Sequence, residues 1–285
     1  MQSNNPVFNR SEGFNGRGTT ATSSPSQWTI NLNGEDVTTS GAGLGTDRRM
    51  TLDSVVEKTA ITLGVVIAAA AVTWFLIGDT FLPDEVTVDS DAMRNAFALA
   101  MVGAIVGFVL SLVNSFKKVV SPALVLGYAA FEGVFVGALS KVVATYVNDP
   151  TIVFQAVLGT MVAFGGTLAA YKFFNIQVTD KFRRVVTIAI FSFAGLMLVN
   201  FVLSLTGVLE SGGLRGFNTL GLVVSAVAVV LAVFMLIMDF DFVERGVEAG
   251  LPERESWRAA FGLTVTLVWL YIEILRILAI LRGND

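Results

Sequence analysis

The chain has no cysteine and no histidine among its 285 residues. That excludes disulfide scaffolds, thiol chemistry and histidine-ligated metals, and it leaves carboxylates as the groups able to titrate near neutral pH once perturbed. Charge is scarce as well: Asp, Glu, Lys and Arg make up 15% of the residues, against 54% hydrophobic. A soluble domain of this length needs more surface charge than that. The mean hydropathy of +0.70 points the same way. No Gly-Lys-Ser/Thr phosphate loop, no His-Glu-x-x-His pair and no nucleophile–base motif occurs, so the sequence reads as non-enzymatic.

What is present falls into two materials. Residues 1–50 are rich in Asn, Gly, Ser and Thr, with apolar residues scattered and without period. Such sequence buries too little surface to offset its ordering entropy, and it lacks the basic start and apolar core of a signal peptide, so a disordered tail is expected. Its one apolar patch, Trp28 to Leu32, is a stray cluster or a docking segment.

Residues 51–285 carry seven apolar runs of the roughly 20 residues that a bilayer core demands. They are Thr59–Leu82 (with Asp79 near its far end), Ala96–Phe116, Val119–Ser140, Thr151–Tyr171, Val185–Val208, Phe217–Met238 and Ala259–Leu281. Backbone groups in lipid must be satisfied within each span, and the runs are too long and too uniformly apolar for barrel strands. The expected fold is an all-α, polytopic membrane helical bundle of about seven transmembrane helices. Glu273 and Arg276 interrupt the last run, which leaves a full span or a re-entrant segment open there.

Orientation follows from the bases. Arg48, Arg49 and Lys58 precede the first run, Lys117 and Lys118 lie between the second and third, and Lys172, Lys181, Arg183 and Arg184 lie between the fourth and fifth. The alternate connections are poor in base, so the basic ones are expected in the cytoplasm, with the N-terminus inside.

Small residues recur at helical spacing: Gly103, Gly107 and Ser111; Gly133 and Gly137; Gly159 and the pair Gly165-Gly166. Stripes of this kind let helix backbones approach closely in lipid.

The functional signal lies in polar residues at membrane depth. A carboxylate at the centre of a span costs at least about 2.5 kcal/mol, so Glu132, mid-way through the third run, should face protein or a water-filled path. Tyr128 lies one turn earlier on the same face, where its hydroxyl can donate to that carboxylate. Glu273 and Arg276 stand three apart, a spacing at which they can neutralise each other. Asp239 and Asp241 close the sixth run, where a solvated helix end is the alternative reading. Asn200 and Gln155 are candidates for interhelical hydrogen bonds. Two carboxylates brought together in a dry bundle would share a proton and titrate as a pair, giving a pH gate.

At these residues the chain resembles the Bax inhibitor-1 (transmembrane Bax inhibitor motif) family, in its bacterial, YccA-like branch. Ser121-Pro122-Ala123-Leu124, Tyr128, Glu132-Gly133 and Gly137 look like the family's third-span signature. Gln155-Ala156 with Thr160 and Phe164 is similar to its fourth-span pattern. Asp239-Phe240-Asp241 stands in the place of its Asp-Thr-Gln, and Leu270-Tyr271-Ile272-Glu273 resembles its Leu-Tyr-Leu-Asp. The motifs cover residues 50 to 285 and leave out the tail.

The resemblance implies six helices around the last, and a pH-sensitive calcium leak whose sensor would here be Asp239 and Glu273. Either Asp239 or Asp241 can match the first position; Asp239 puts Gly250 in register with a loop glycine. Glu132 and Tyr128 would lie on the ion path, with Asp241, Arg276 and Asn200 in support. No cofactor is expected beyond calcium as the transported ion; the partners would be calcium, protons and the lipid bilayer, with no nucleic acid. Oxygen ligands suit such a hard cation, and sparse carboxylates suit passage better than storage. The implied location is a bacterial plasma membrane. The alternative function is a non-transporting regulator that binds a membrane protease or stress-response partner.

Overall fold

A computed structural model of the chain describes residues 49–81, 87–174 and 176–283. The tail, with its Trp28 to Leu32 patch, lies outside the described residues. Among the described residues are seven helices, each long and apolar enough to cross a membrane: α1 Leu52–Ile77, α2 Ser90–Phe116, α3 Pro122–Tyr146, α4 Thr151–Phe173, α5 Asp180–Leu205, α6 Thr219–Glu248 and α7 Glu255–Arg282. A short 3-10 turn, Glu210–Arg215, joins α5 to α6. The protein is thus an all-α, multi-pass membrane bundle.

Local chemistry sets the helix starts. Thr51 and Ser54 form a reciprocal capping box on α1, Pro122 opens α3 after Ser121, and the Asn218 side chain accepts from the Gly221 N–H at 2.9 Å to start α6. At the other end of α6, Gly250 takes φ 63° and turns the chain, with the Leu251 N–H donating to Gly246 O.

The helix bounds revise the sequence reading in three places. First, α1 begins at Leu52, so Lys58 lies inside the helix, only 8% exposed, and its Nζ is 2.9 Å from Glu253 Oε1; Asp79 falls just past the helix end. Second, α6 runs ten residues beyond Met238, so Asp239 and Asp241 are interior helical residues. Asp241 is 6% exposed and is no solvated helix end. Third, Glu273 and Arg276 do not break α7, which is one unbroken helix of 28 residues. A hydropathy scan marks the two charges as interruptions, yet each finds a partner inside the protein.

The last helix is the inside helix. Buried residues make up 61% of its apolar window, against 11% for α5. Its core contacts join it to α1, α3 and α4 on one side (Val66, Ala129, Val136, Ile152, Val268, Leu275) and to α6 on the other (Leu236, Phe240, Leu263, Leu267). On α5, Phe193 meets Trp269 of α7 with ring centroids 6.2 Å apart.

Close packing rests on the glycine stripes. A Cβ on Gly133 would lie 2.5 Å from Val66 O, and one on Gly103 would lie 2.6 Å from Phe135 N. Gly133 therefore lets α1 lie against α3, and Gly103 does the same for α2. Gly165 and Gly166 have nothing within 4 Å and take no part in such a contact.

The connection between α6 and α7 is tied to the start of α1. The Met50 N–H donates to Leu251 O at 2.7 Å, Arg49 forms an isolated bridge with Pro252, and the hydroxyls of Ser54 and Ser256 are 2.6 Å apart.

Candidate functional site

Acids and bases at the helix contacts

Glu273 is 2% exposed on α7, and its Oε1 accepts from Arg215 Nη1 at 2.6 Å. The arginine comes from the 3-10 turn between α5 and α6. Asn200 of α5 holds that turn: its Oδ1 accepts from the Leu214 N–H at 2.8 Å and its Nδ2 donates to Gly212 O at 3.3 Å. Asn200 therefore clamps a connection, where the sequence suggested a helix-to-helix bond. Gln155 does join two helices, because its Oε1 accepts from Arg282 Nη2 of α7 at 3.0 Å. Arg282 also pairs with Asp149.

Arg276 does not form the intrahelical pair that its spacing allows. Its guanidinium lies over the Phe217 ring at 5.4 Å and reaches Gly216 O at 3.5 Å. Glu273 Oε2 and Arg276 Nε are both buried without a hydrogen-bond partner. An unpartnered carboxylate oxygen beside two guanidiniums, deep in a bundle, marks a place where charge is held at a cost.

Asp239 sits elsewhere. Its Oδ2 accepts from Thr266 Oγ1 at 2.7 Å, and its Oδ1 would lie 3.6 Å from a Cβ on Gly262, so it rests on α7 where that helix is bare of side chain. Thr266 precedes Glu273 by seven residues, roughly two turns or 10.5 Å of helix. Both acids that the resemblance places in the sensor thus lie against or on α7, each held by a different partner, and no described contact joins them.

Glu132 is half-buried between α2 and α3. Its Oε2 would lie 3.1 Å from a Cβ on Gly107, and the Tyr128 hydroxyl is within hydrogen-bonding reach of it, as their one-turn spacing predicts. Tyr128 also meets Phe261 of α7 edge-on at 5.0 Å. Glu132, Asp239 and Glu273 therefore occupy three separate helix contacts. Among the described residues no three acids gather so as to hold a metal ion.

Asp241 anchors a fourth group, at the end of the bundle where α6 stops. It accepts from Arg183 of α5 at 2.6 Å and from Arg245 at 3.0 Å, and Arg245 also donates to Val178 O. Beside it, the Tyr171 hydroxyl of α4 donates to Glu244 Oε2 at 2.5 Å. Asp241 ties the fourth connection to α6 and stays apart from Asp239.

Sequence reasoning missed two partners. Arg215 lies in a glycine-rich connection (Ser-Gly-Gly-Leu-Arg-Gly), where nothing local marks it as reaching into the bundle. Thr266 did carry a signal, standing two turns before Glu273 on the same stripe of α7.

The chain matches a known family along nearly its full length. It fits the family described as Bax inhibitor 1 like over residues 5–283, a span that also takes in most of the tail left outside the motif resemblance. No curated protein matches it. With seven membrane-length helices, the last of them innermost, and a family match across nearly its full length, the chain belongs to the Bax inhibitor 1 like family.

Proposed function

We propose that this protein is a pH-sensitive leak pathway for cations, calcium foremost, in a bacterial plasma membrane, with its N-terminus in the cytoplasm and its place in the YccA-like branch of the family. The observation that carries the reading is the burial of Glu273 on the innermost helix with Arg215 as its ionic partner and one carboxylate oxygen left unpartnered. An ionisable group kept at that depth costs stability and is a functional site by default.

The sign of the pH response follows from the pair. Glu273 holds Arg215 only while ionised. Loss of that charge would remove the ion pair and free the 3-10 turn from α7. Flux should therefore rise as pH falls. Asp239 responds in its own right: protonated, it no longer accepts from Thr266 as an anion, which loosens α6 from α7 at a second level. In this reading the two sensor acids act through the one helix they share, without sharing a proton directly. Glu132, with Tyr128, serves as the cation's oxygen ligand on the path. Acids spread singly along a bundle suit passage better than storage.

The test is calcium flux into liposomes holding the purified protein, across a pH series. Flux that increases on acidification is expected. Its absence at every pH, with the protein correctly inserted, would overturn the leak and favour a non-transporting regulator that binds a membrane protease or stress partner.

A further inference from the structure

Between α1 and α4 the bundle opens a cleft of about 490 Å³, floored by α3 and α7. It follows α1 from Leu63 to Phe75, thirteen residues spanning roughly 18 Å of helix. Ile67 and Phe75 on one wall and Phe154 and Met161 on the other are exposed. The polar groups that line it are already satisfied by the protein: Ser140 Oγ bonds Val136 O and the Tyr271 hydroxyl, and Thr160 Oγ1 donates to Ala156 O. The cleft therefore offers a ligand apolar surface and little else.

One end is different. Trp74 lines the cleft where α1 nears its C-terminal end, and the Lys141 ammonium lies 4.4 Å from the centroid of its ring. Asp79, exposed just past the end of α1, is close enough to act on the lysine charge. Pro150, at the start of α4, lines the same end. An indole and a lysine beside the last turns of membrane helices are the groups that settle at the level of lipid headgroups.

We propose that this cleft is a binding site for one membrane phospholipid of zwitterionic headgroup, such as phosphatidylethanolamine. One acyl chain lies along the cleft over the Ser140–Tyr271 floor, the phosphate pairs with Lys141, and the headgroup ammonium faces Asp79. Two physical arguments select this occupant. The cleft is at membrane depth, where acyl chains are the solvent, and a lining without partner atoms forfeits its dispersion contacts. The cation and anion at one rim match a headgroup of both signs, which a hydrophobic partner helix does not need. The site is independent of the acids proposed to control flux.

Native mass spectrometry of the full chain, purified in detergent with added phosphatidylethanolamine, tests the site. The expected result is one retained phospholipid per chain. Ala71→Phe, which fills the cleft, should abolish retention; Lys141→Gln should lower the retained fraction about tenfold; Val230→Phe, on the exposed face of α6, should leave it unchanged. Lys141→Gln leaves the cleft walls intact and decides the matter alone if Ala71→Phe does not fold. Equal retention by wild type and Lys141→Gln, retention of free fatty acid in place of phospholipid, or displacement of lipid by a second copy of the chain would each overturn the proposal.

Discussion

Arg215 and Glu273 are 58 residues apart in sequence and 2.6 Å apart in space, one on the connection between α5 and α6 and the other on the innermost helix. With Arg276 close by, Glu273 stands between two guanidiniums and holds only one of them. The pair is the single ionic link between that connection and α7 among the described ion pairs.

A double-mutant cycle should expose this link. Removing one partner of a buried pair leaves the other charge uncompensated and costs about 3–5 kcal/mol. Arg215 is 28% exposed on its side chain, so the loss is expected at the lower end. Glu273→Gln and Arg215→Gln should each lower the melting temperature in detergent, and the double variant should recover part of the loss. Additive losses would show that the two side chains are not coupled.

The glycine stripes make a sharper prediction about the fold. Gly133→Ala puts a Cβ 2.5 Å from Val66 O, a backbone atom that cannot swing away, so α1 must shift. The cost should be about 1–3 kcal/mol, as for other overpacked sites. Gly165→Ala meets nothing within 4 Å and should be neutral or stabilising by up to about 1 kcal/mol, since alanine favours helix. Thermal melts of the two variants beside wild type measure the contrast.

These two cases mark what could be read from the chain. Seven spans, close-packing glycines at 103, 107, 133 and 137, and the Tyr128–Glu132 neighbourhood all follow from spacing within one helix, and spacing is written in the sequence. The partners of Glu273, Asp239 and Asp241 are different. Arg215, Thr266 and Arg183 each come from another element, with Arg245 alone on the same helix as its acid, and which residue of a connection folds inward is decided by tertiary packing. Arg276 looked like the natural mate of Glu273 because helical geometry allows it; the structure turns it onto Phe217. Hydropathy also misplaces the end of α6, because the helix runs on to Glu248 through charged residues, of which Asp241 pairs with Arg245 on the same helix and with Arg183 of α5.

Asp241 offers a test of that last point. It is 6% exposed and accepts from two arginines, whose side chains are 42% and 50% exposed. Asp241→Asn should therefore cost about 1–2 kcal/mol, below the value for a fully buried pair because water screens both bases. Asp239→Asn should cost less, since the amide oxygen can still accept from Thr266. A larger loss of melting temperature for Asp239→Asn would reverse the ranking.

Topology can be checked directly. With basic connections between α2 and α3 and between α4 and α5, a reporter inserted after Gln177 should read cytoplasmic, and one inserted within residues 84–91 should read external. The opposite pattern would put the α6–α7 connection and Asp241 on the outer face.

The flux variants separate sensor from path. Glu273→Gln keeps the shape of the side chain but cannot ionise, so Arg215 loses its anion at every pH. The leak should then stay near its acid-side level and lose most of its pH dependence. Glu132→Gln should act otherwise. Glu132 lies between α2 and α3, and among the described residues Tyr128 is the side chain that bonds its carboxylate. Replacing its carboxylate removes an oxygen charge for a passing cation without touching either sensor acid, so flux should fall at each pH while the profile keeps its shape. The measurement is the same calcium uptake into liposomes for both variants. A normal profile in Glu273→Gln would remove that residue from the sensor, and a changed profile in Glu132→Gln would move Glu132 from the path into the sensor.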